Sequence, residues 1–214
     1  MNQGASVESN GFGKGYADEQ IRRSQHPLRR FIKGFYLRSV LAAVHGPTID
    51  YGCGAGQLLA LLPAGSVGLE VNPHLIASLT EAGLPVRQWQ ANAQGFDLAG
   101  LDRAGYRCLV ISHVLEHLDD PTAALTRLLQ ACRRVGVTRL IAIVPGAKGF
   151  ASDATHRTFI DTAFVVSRGW QHLAGYALVS QRHFPLPWQG GGTLFVYNEL
   201  QLVFDLIAPL DAHA

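Results

Sequence analysis

A glycine-rich turn directly after an apolar strand is the feature that most constrains how this chain of 214 residues can fold. Residues 48–57 read Thr-Ile-Asp-Tyr-Gly-Cys-Gly-Ala-Gly-Gln, so an acid ends the strand and three glycines alternate after it. Glycines let the backbone pass close to a ligand where a Cβ would collide. A dinucleotide-binding loop reads G-x-G-x-x-G, but counted from Gly52 its last position falls on Gln57. The turn therefore predicts a nucleotide-type ligand held by a different glycine spacing.

The chain then alternates between short apolar segments and helical ones. Strands are expected near 48–51, 66–71, 85–89, 107–112 and 139–144, and helices near 57–62, 73–82 and 121–134. This alternation predicts a parallel sheet with helices on both faces. Two strand-like runs follow, Tyr176–Phe184 and Thr193–Phe204, and because no helix fits between them we expect an antiparallel pair. The expected fold class is α/β, with a doubly wound, mostly parallel sheet that ends in an antiparallel hairpin.

The N-terminal region has a different character from the rest of the chain. Residues 1–15 are rich in Gly, Ser and Asn and are expected to form a disordered tail. Apolar residues recur at helical spacing over residues 17–44, and Pro27 is expected to separate two helices. Basic residues are dense from Lys14 to Arg38, which fits either a solvated helix face or a surface for an anionic substrate or a membrane headgroup.

The amino-acid composition argues against several classes of protein. A hydrophobic content of 48% with 16% charged residues is typical of globular domains, and a formal net charge of +2 is too small to indicate nucleic acid binding. The three cysteines are odd in number and widely spaced, so neither a disulfide framework nor a zinc knuckle fits. No apolar run reaches the length of a membrane span, and the N-terminus has no apolar signal core, so a reducing cytoplasm is expected. The sequence leaves the oligomeric state open.

A second motif supports a family resemblance. The segment from Leu109 to Pro121 reads Leu-Val-Ile-Ser-His-Val-Leu-Glu-His-Leu-Asp-Asp-Pro and begins in a predicted strand. Together with the D-x-G-x-G-x-G loop, it resembles class I S-adenosylmethionine-dependent methyltransferases, in the group that includes quinone-biosynthesis and related small-molecule enzymes. Members of that group usually begin this strand with an aromatic–aspartate pair, whereas here Tyr106 is followed by Arg107. The resemblance covers about residues 48–145. It implies a Rossmann-like fold with S-adenosylmethionine as cofactor.

The resemblance also implies a three-part organisation and a donor site. Residues 1–15 form the tail, 16–45 an N-terminal helical cover over the substrate, and 46–214 the Rossmann-like methyltransferase domain. Glu70 ends the second strand, where its carboxylate can accept hydrogen bonds from both ribose hydroxyls, and Asp50 attracts the ammonium group of the donor. The expected cofactor-binding residues are Asp50, Tyr51, Gly52, Cys53, Gly54, Gly56, Glu70, Val71, Asn72, Asn92, Ala93, Ser112 and His113.

The segment from His113 to His117 also spells H-x-x-E-H, the signature of inverted zinc proteases. On a helix, residues four apart share a face, so both imidazoles can ligate one metal, with Glu116 as the base and a third ligand such as Glu199. However, the match begins at a strand end, and this interpretation gives the glycine loop no role. No metal is therefore expected, and a zinc hydrolase is the least favoured function.

Methyl transfer from a sulfonium to a hydroxyl requires alignment of the two reactants and a base for the proton of the acceptor. The candidate catalytic residues are His113 and, after the fifth strand, His156 with Asp153 to orient it. Alternatively, Asp153 or Thr155 caps a helix that runs on through Phe164. The candidate substrate-binding residues are Tyr16, His26, Arg30 and Arg157.

The sequence thus predicts a methyltransferase that acts on a small-molecule acceptor, a sugar, lipid or quinone-type precursor, with methylation on oxygen. RNA or protein methylation is the alternative that the basic N-terminal helices suggest, and a catalytically silent cofactor-binding subunit is a third. Phosphate contacts make binding fall steeply with salt, so salt dependence separates an RNA acceptor from a neutral small molecule.

Overall fold

Eight strands form one sheet in the computed structural model, which describes residues 13, 15, 27–89, 95–101 and 105–207, with the backbone alone for 27–33 and 95. They are β1 (Thr48–Tyr51), β2 (Val67–Glu70), β3 (Val86–Gln88), β4 (Cys108–Ser112), β5 (Arg139–Pro145), β6 (His172–Leu173), β7 (Tyr176–Phe184) and β8 (Glu199–Leu206). Their order across the sheet is β3-β2-β1-β4-β5-β8-β7-β6. The first five strands pair in parallel, whereas β8 lies antiparallel between β5 and β7. The predicted fold class is therefore confirmed.

Six helices accompany the sheet in the described parts of the chain: α1 (Pro27–Leu41), α2 (Pro73–Glu81), α3 (Pro121–Val135), α4 (Ala147–Ala151), α5 (Thr162–Ser167) and α6 (Gly191–Leu194). The first three begin at proline, which suits a first helical turn because its missing N–H has no helical partner there. Asn72 and Asp120 cap α2 and α3 by accepting backbone N–H groups of the first turn. Gly136 ends α3 in a left-handed conformation, which glycine adopts without steric cost.

Two helix predictions near the carboxyl edge of the sheet were wrong. The helix expected near 57–62 is a single 3₁₀ turn, Leu59–Leu61, because Pro63 follows too soon after the glycine loop for a longer helix. The helix expected to begin at Asp153 or Thr155 is α5, which begins at Thr162 and is capped by Asp161. Asp153 instead accepts hydrogen bonds from the backbone and side chain of Thr155 in a local turn.

The C-terminal hairpin was predicted correctly in its pairing but not in its connection. β8 begins at Glu199 and not near Thr193, and the short helix α6 occupies the segment where no helix was expected. Gly191 and Gly192 are buried there, packed against Asn198 and the backbone of Gly146. A side chain at either glycine would prevent this close packing, so the glycines that resembled a loop in sequence form a helical turn in the fold.

Apolar residues of the strands face two separate cores. Leu109 of β4 packs with α3 and with the fully buried Trp170, whose Nε1 donates to Thr122 Oγ1 at 3.0 Å. Val110, the next residue of β4, packs on the other face with Val40 of α1. Successive residues of a strand point to opposite faces, so α1 and α3 cover opposite sides of the sheet.

The loop between β5 and α4 depends on a glycine. A Cβ on Gly146 would lie well inside contact distance of the Asn198 carbonyl oxygen and close to the Gly192 Cα. We expect Gly146→Ala to lower the free energy of unfolding by about 1–3 kcal/mol, because backbone atoms must move to relieve the overlap. Gly34→Ala is the matched control, since Gly34 lies inside α1 and no heavy atom in the described part of the chain lies within 4 Å of its added Cβ. It should raise stability by about 0.5–1 kcal/mol. Denaturant unfolding measures both, and equal effects would contradict the packing argument.

Within the described parts of the chain, no helix combines the length and apolar character that crossing a membrane requires. All three cysteines, Cys53, Cys108 and Cys132, are buried and free. Burial raises the pKa of each of these thiols, so they behave as small core residues, which the sequence predicts for Cys108 and Cys132.

Candidate active site

The glycine loop after β1 forms an open cradle. Gly52, Gly54 and Gly56 all have positive φ, at 73°, 54° and 70°, a conformation that favours glycine. A Cβ on Gly56 would overlap the Leu79 side chain, so this position must be glycine for α2 to pack against the loop. Beside Gly54, in contrast, no heavy atom of the described residues lies within 4 Å of the Cβ position. The loop therefore leaves space for a ligand at its middle glycine.

The Glu70 carboxylate joins this loop to the end of β2. Its Oε2 accepts from the Gly54 amide at 2.8 Å, and its Oε1 accepts from the amides of Val71 and Asn72, each at 2.9 Å. A carboxylate offers about four lone-pair positions, so one position on Oε2 remains beside the open side of Gly54. Glu70 lies where the sequence predicts, and three backbone amides already occupy three of its acceptor positions.

Several predicted cofactor residues turn their side chains away from the loop surface. Tyr51 stacks on Phe96, with ring centroids 5.5 Å apart, and Cys53 packs beneath the loop beside Leu59. Asn72 is 1% exposed because its Oδ1 caps α2, accepting from the amides of the first turn. Tyr51, Cys53 and Asn72 can therefore offer a ligand little besides their backbone. The predicted residues Asn92 and Ala93 lie outside the described residues.

Tyr36 of α1 enters the site and was missed by the sequence analysis. Its side chain is hydrogen-bonded to Ser112 at the end of β4. Burial, followed by the negative charge of Asp50, raises the pKa of its hydroxyl, with a smaller contribution from Glu199, so it stays a neutral phenol. Its position could have been found from helical spacing, since Tyr36 lies one turn before the fully buried Val40 and so belongs to the sheet-facing stripe.

His113 ends β4 with a positive φ of 55° and contacts two carboxylates. Its Nδ1 lies 3.2 Å from Glu116 Oε1, and its Nε2 lies 3.0 Å from Glu199 Oε1. Carboxylate oxygens only accept, so both ring nitrogens carry protons and the ring is an imidazolium. Burial opposes that charge, but the two carboxylates outweigh it and raise the pKa of His113 to about 10. His113 therefore lies in the site, as predicted, but is not poised to act as a base.

Glu199 reaches His113 through strand pairing. It is the first residue of β8 and lies opposite Pro145, at the carboxyl end of β5. Its Oε2 is buried and has no hydrogen-bond partner among the described residues. From the sequence, Glu199 was expected only as a possible metal ligand. An acidic residue at the start of an apolar strand was the available signal for a site position.

The loop after β5 brings one further histidine, His156, to Glu116. The amides of Arg157 and Thr158 both donate to the Glu116 carbonyl, which ties this loop to the turn after β4. His156 donates from Nδ1 to the Phe150 carbonyl at 2.8 Å, and its Nε2 lies 3.9 Å from Glu116 Oε1. The predicted pair of Asp153 with His156 was wrong, because Asp153 reaches His117 instead, through Thr155.

The predicted substrate residues are only partly described. Arg157 forms an ion pair with Asp119 at 2.6 Å at the protein surface. It therefore lies near the candidate site but is already paired. Tyr16 and His26 lie outside the described residues, and so does the side chain of Arg30.

The zinc-protease interpretation of H-x-x-E-H was wrong in its geometry. His113 lies at a strand end, and Leu115–His117 form a 3₁₀ turn, so the two histidines do not share a helix face. Both nitrogens of His113 are engaged by carboxylates. A different group, Glu116, His117 and His156, brings possible ligand atoms within 4.8 Å of one another.

A family profile described as a methyltransferase domain matches residues 22–180. The chain belongs to this methyltransferase family. The prediction of a class I S-adenosylmethionine-dependent methyltransferase is thereby confirmed, and S-adenosylmethionine is the methyl donor of the enzyme. No curated protein sequence matches the chain.

Solved structures of other methyltransferases share the fold of this methyltransferase. An S-adenosylmethionine-dependent methyltransferase from Archaeoglobus fulgidus is 17% identical, with 84% of this chain and 100% of that chain covered and a TM-score of 0.58. Magnesium protoporphyrin IX methyltransferase from Synechocystis, with bound S-adenosylhomocysteine, is 13% identical, with 94% and 98% covered and a TM-score of 0.64. An N-methyltransferase from Bradyrhizobium japonicum is 13% identical, with 91% and 98% covered and a TM-score of 0.57.

Proposed function

We propose that this methyltransferase transfers the methyl group to a hydroxyl oxygen of a small-molecule acceptor, such as a sugar, lipid or quinone-type precursor. The observation that carries the proposal is the contact between His113 and Glu199 at the carboxyl edge of the sheet, next to Tyr36. Open α/β sheets bind their ligands at this edge. The contact gives a hydroxyl acceptor a carboxylate beside the expected donor position.

The donor is held by the loop and the strand ends beside it. The open side of Gly54 and the remaining lone pair of Glu70 fit a ribose, and Asp50, 4% exposed at the end of β1, fits the ammonium group. The N-terminal region, residues 16–45, is proposed to cover the bound donor, and Tyr36 is the described residue by which α1 enters the site.

Glu199 is proposed to take the proton of the acceptor. S-adenosylmethionine supplies the methyl group, since its S–CH₃ bond breaks as the O–CH₃ bond forms and S-adenosylhomocysteine leaves. The acceptor hydroxyl releases one proton in the same reaction, and Glu199 Oε2 is a buried acceptor without a partner among the described residues. His113, held as an imidazolium between Glu116 and Glu199, fixes the carboxylate in place and is a positioning residue.

Charge favours a small acceptor over RNA. Four acidic residues lie around the site, Asp50, Glu70, Glu116 and Glu199, and one imidazolium offsets them. The nearby Arg157 is already paired with Asp119. A polyanion would be repelled by such an edge, and a neutral or cationic small molecule would not.

Free thiols at all three cysteines are consistent with a proposed cytoplasmic location.

Transfer of radiolabelled methyl groups from the donor tests the proposed acceptor class. We expect labelling of hydroxylated small molecules at a rate that changes little between 50 and 200 mM salt, because no phosphate contacts are made. The matched samples contain total RNA and denatured protein. Labelling of RNA that falls steeply with salt would overturn the proposal in favour of RNA methylation. Labelling of protein would overturn it in favour of protein methylation. Tight donor binding without labelling of any extract would favour the silent subunit.

A further inference from the structure

We propose that Glu116, His117 and His156 bind a divalent transition-metal ion beside the candidate active site. Their possible ligand atoms lie within 4.8 Å of one another, and the His117 and His156 rings lie 4.7 Å apart between centroids. Two imidazoles and one carboxylate are ligands that such ions take, and three protein ligands leave a coordination position open. The site uses His156 in place of His113, which the zinc-protease pattern would have used.

The hydrogen bond of His156 leaves one ring nitrogen available. Its Nδ1 lies 2.8 Å from the Phe150 carbonyl oxygen, which can only accept, so Nδ1 carries the proton. In the neutral ring Nε2 then keeps its lone pair, and this is the atom 3.9 Å from Glu116 Oε1. The ring also stacks on Phe150, which fixes its orientation.

A chain of hydrogen bonds determines which ring nitrogen of His117 carries the proton. The Thr155 hydroxyl donates to Asp153 Oδ1 at 2.6 Å, because that carboxylate can only accept. Thr155 Oγ1 must therefore accept from His117 Nδ1, at 3.1 Å, which leaves Nε2 unprotonated in the neutral ring. Metal-binding histidines usually donate their second nitrogen to a carbonyl or a carboxylate in this manner. Each imidazole in its neutral form thus keeps one unprotonated nitrogen that can ligate an ion.

Glu116 supplies the third ligand, and its burial is a second observation that favours a bound cation. Its side chain is completely buried, and Oε1 is engaged by His113. Its Oε2 has no hydrogen-bond partner among the described residues. A buried carboxylate with an unpartnered oxygen is unfavourable, and a cation held between Glu116 and the two imidazoles would offset the charge of this carboxylate.

The donor set selects the kind of ion. Imidazole nitrogen with one carboxylate suits Zn²⁺, Mn²⁺, Fe²⁺ or Co²⁺, whereas Mg²⁺ and Ca²⁺ prefer oxygen ligands alone.

For the role of the ion, the inference rests on the proposed function. Glu116 contacts the same His113 that holds Glu199, which connects the ion to the proposed acceptor site, and the open position of the ion is proposed to face that site. An acceptor with a hydroxyl or carbonyl oxygen could bind there as the fourth ligand.

Calorimetry with the untagged, chelator-treated full chain tests the site without an acceptor. We expect Zn²⁺ and Mn²⁺ to bind with a stoichiometry of one, and bound Co²⁺ to show visible absorption bands. Glu116→Gln and His156→Asn should each abolish saturable binding, and Thr155→Val should weaken it by about 10- to 100-fold, because Thr155 orients a ligand. His172→Asn is the matched control, since His172 lies exposed on β6. It should bind as the wild type does.

Binding of S-adenosylhomocysteine is measured in every variant to show that the donor site remains folded. The inference is overturned if none of the three ions binds with defined stoichiometry. It is also overturned if binding persists in Glu116→Gln and His156→Asn proteins that still bind S-adenosylhomocysteine. Because no acceptor is present, a failure here leaves the proposed methyl transfer standing, and a failed acceptor assay leaves a measured metal site standing.

Discussion

Replacing Glu70 with glutamine is expected to weaken binding of S-adenosylhomocysteine by about 10- to 100-fold, the equivalent of one lost hydrogen bond to a charged group. Three backbone amides converge on this carboxylate, at Gly54, Val71 and Asn72. Glutamine has one accepting oxygen, so its NH₂ group must face either the Gly54 amide or the pair on the other side. In either orientation the NH₂ donor of glutamine faces a backbone N–H donor, and the resulting repulsion disturbs the loop that cradles the ligand.

Titration calorimetry measures the affinity, and Glu81→Gln is the matched control because Glu81 is an exposed glutamate at the end of α2. The control should bind S-adenosylhomocysteine as the wild type does. Thermal unfolding separates loss of the ligand contact from loss of the fold. Equal affinity in Glu70→Gln and wild type would show that the ribose is held elsewhere.

The fold could be predicted because its signals are local. Short apolar runs predicted the strands β1 to β5, and the helical stretches between them predicted the helices α2 and α3. The error in the C-terminal hairpin fell where tertiary packing overrides local preference. Gly191 and Gly192 form a helical turn because the backbone of Gly146 packs against it, and no sequence window contains both segments.

The candidate site divides in the same way. The glycine loop and Glu70 lie next to a recognisable strand end, so their place followed from position alone. His113 and Glu199 are 86 residues apart and meet only because β8 is antiparallel to β5. Thr155 and His117 are 38 residues apart, and their contact depends on a loop that is tied to Glu116 by backbone hydrogen bonds. The residue types were visible in the sequence, but their partners were not.

Replacing Glu199 with glutamine is expected to lower the rate of methyl transfer by about 100- to 10,000-fold, the usual contribution of a general base. Glutamine keeps the size of the side chain but cannot take the acceptor proton, and it removes one of the two charges that hold His113. The affinity for S-adenosylhomocysteine should be unchanged, because Glu199 is proposed to serve the acceptor and not the donor. Single-turnover transfer at saturating donor measures the effect.

The dependence of this defect on the acceptor distinguishes a base from a merely structural carboxylate. An acceptor that is already ionised at the assay pH needs no base, so Glu199→Gln should transfer to an acidic phenol at nearly the wild-type rate and fail with an alcohol. Asp205→Asn is the matched control, because Asp205 lies at the far end of β8 in an ion pair with Arg139. It should leave both rates unchanged. A defect of the same size with the phenol and the alcohol would show that Glu199 positions His113 and does not take the proton.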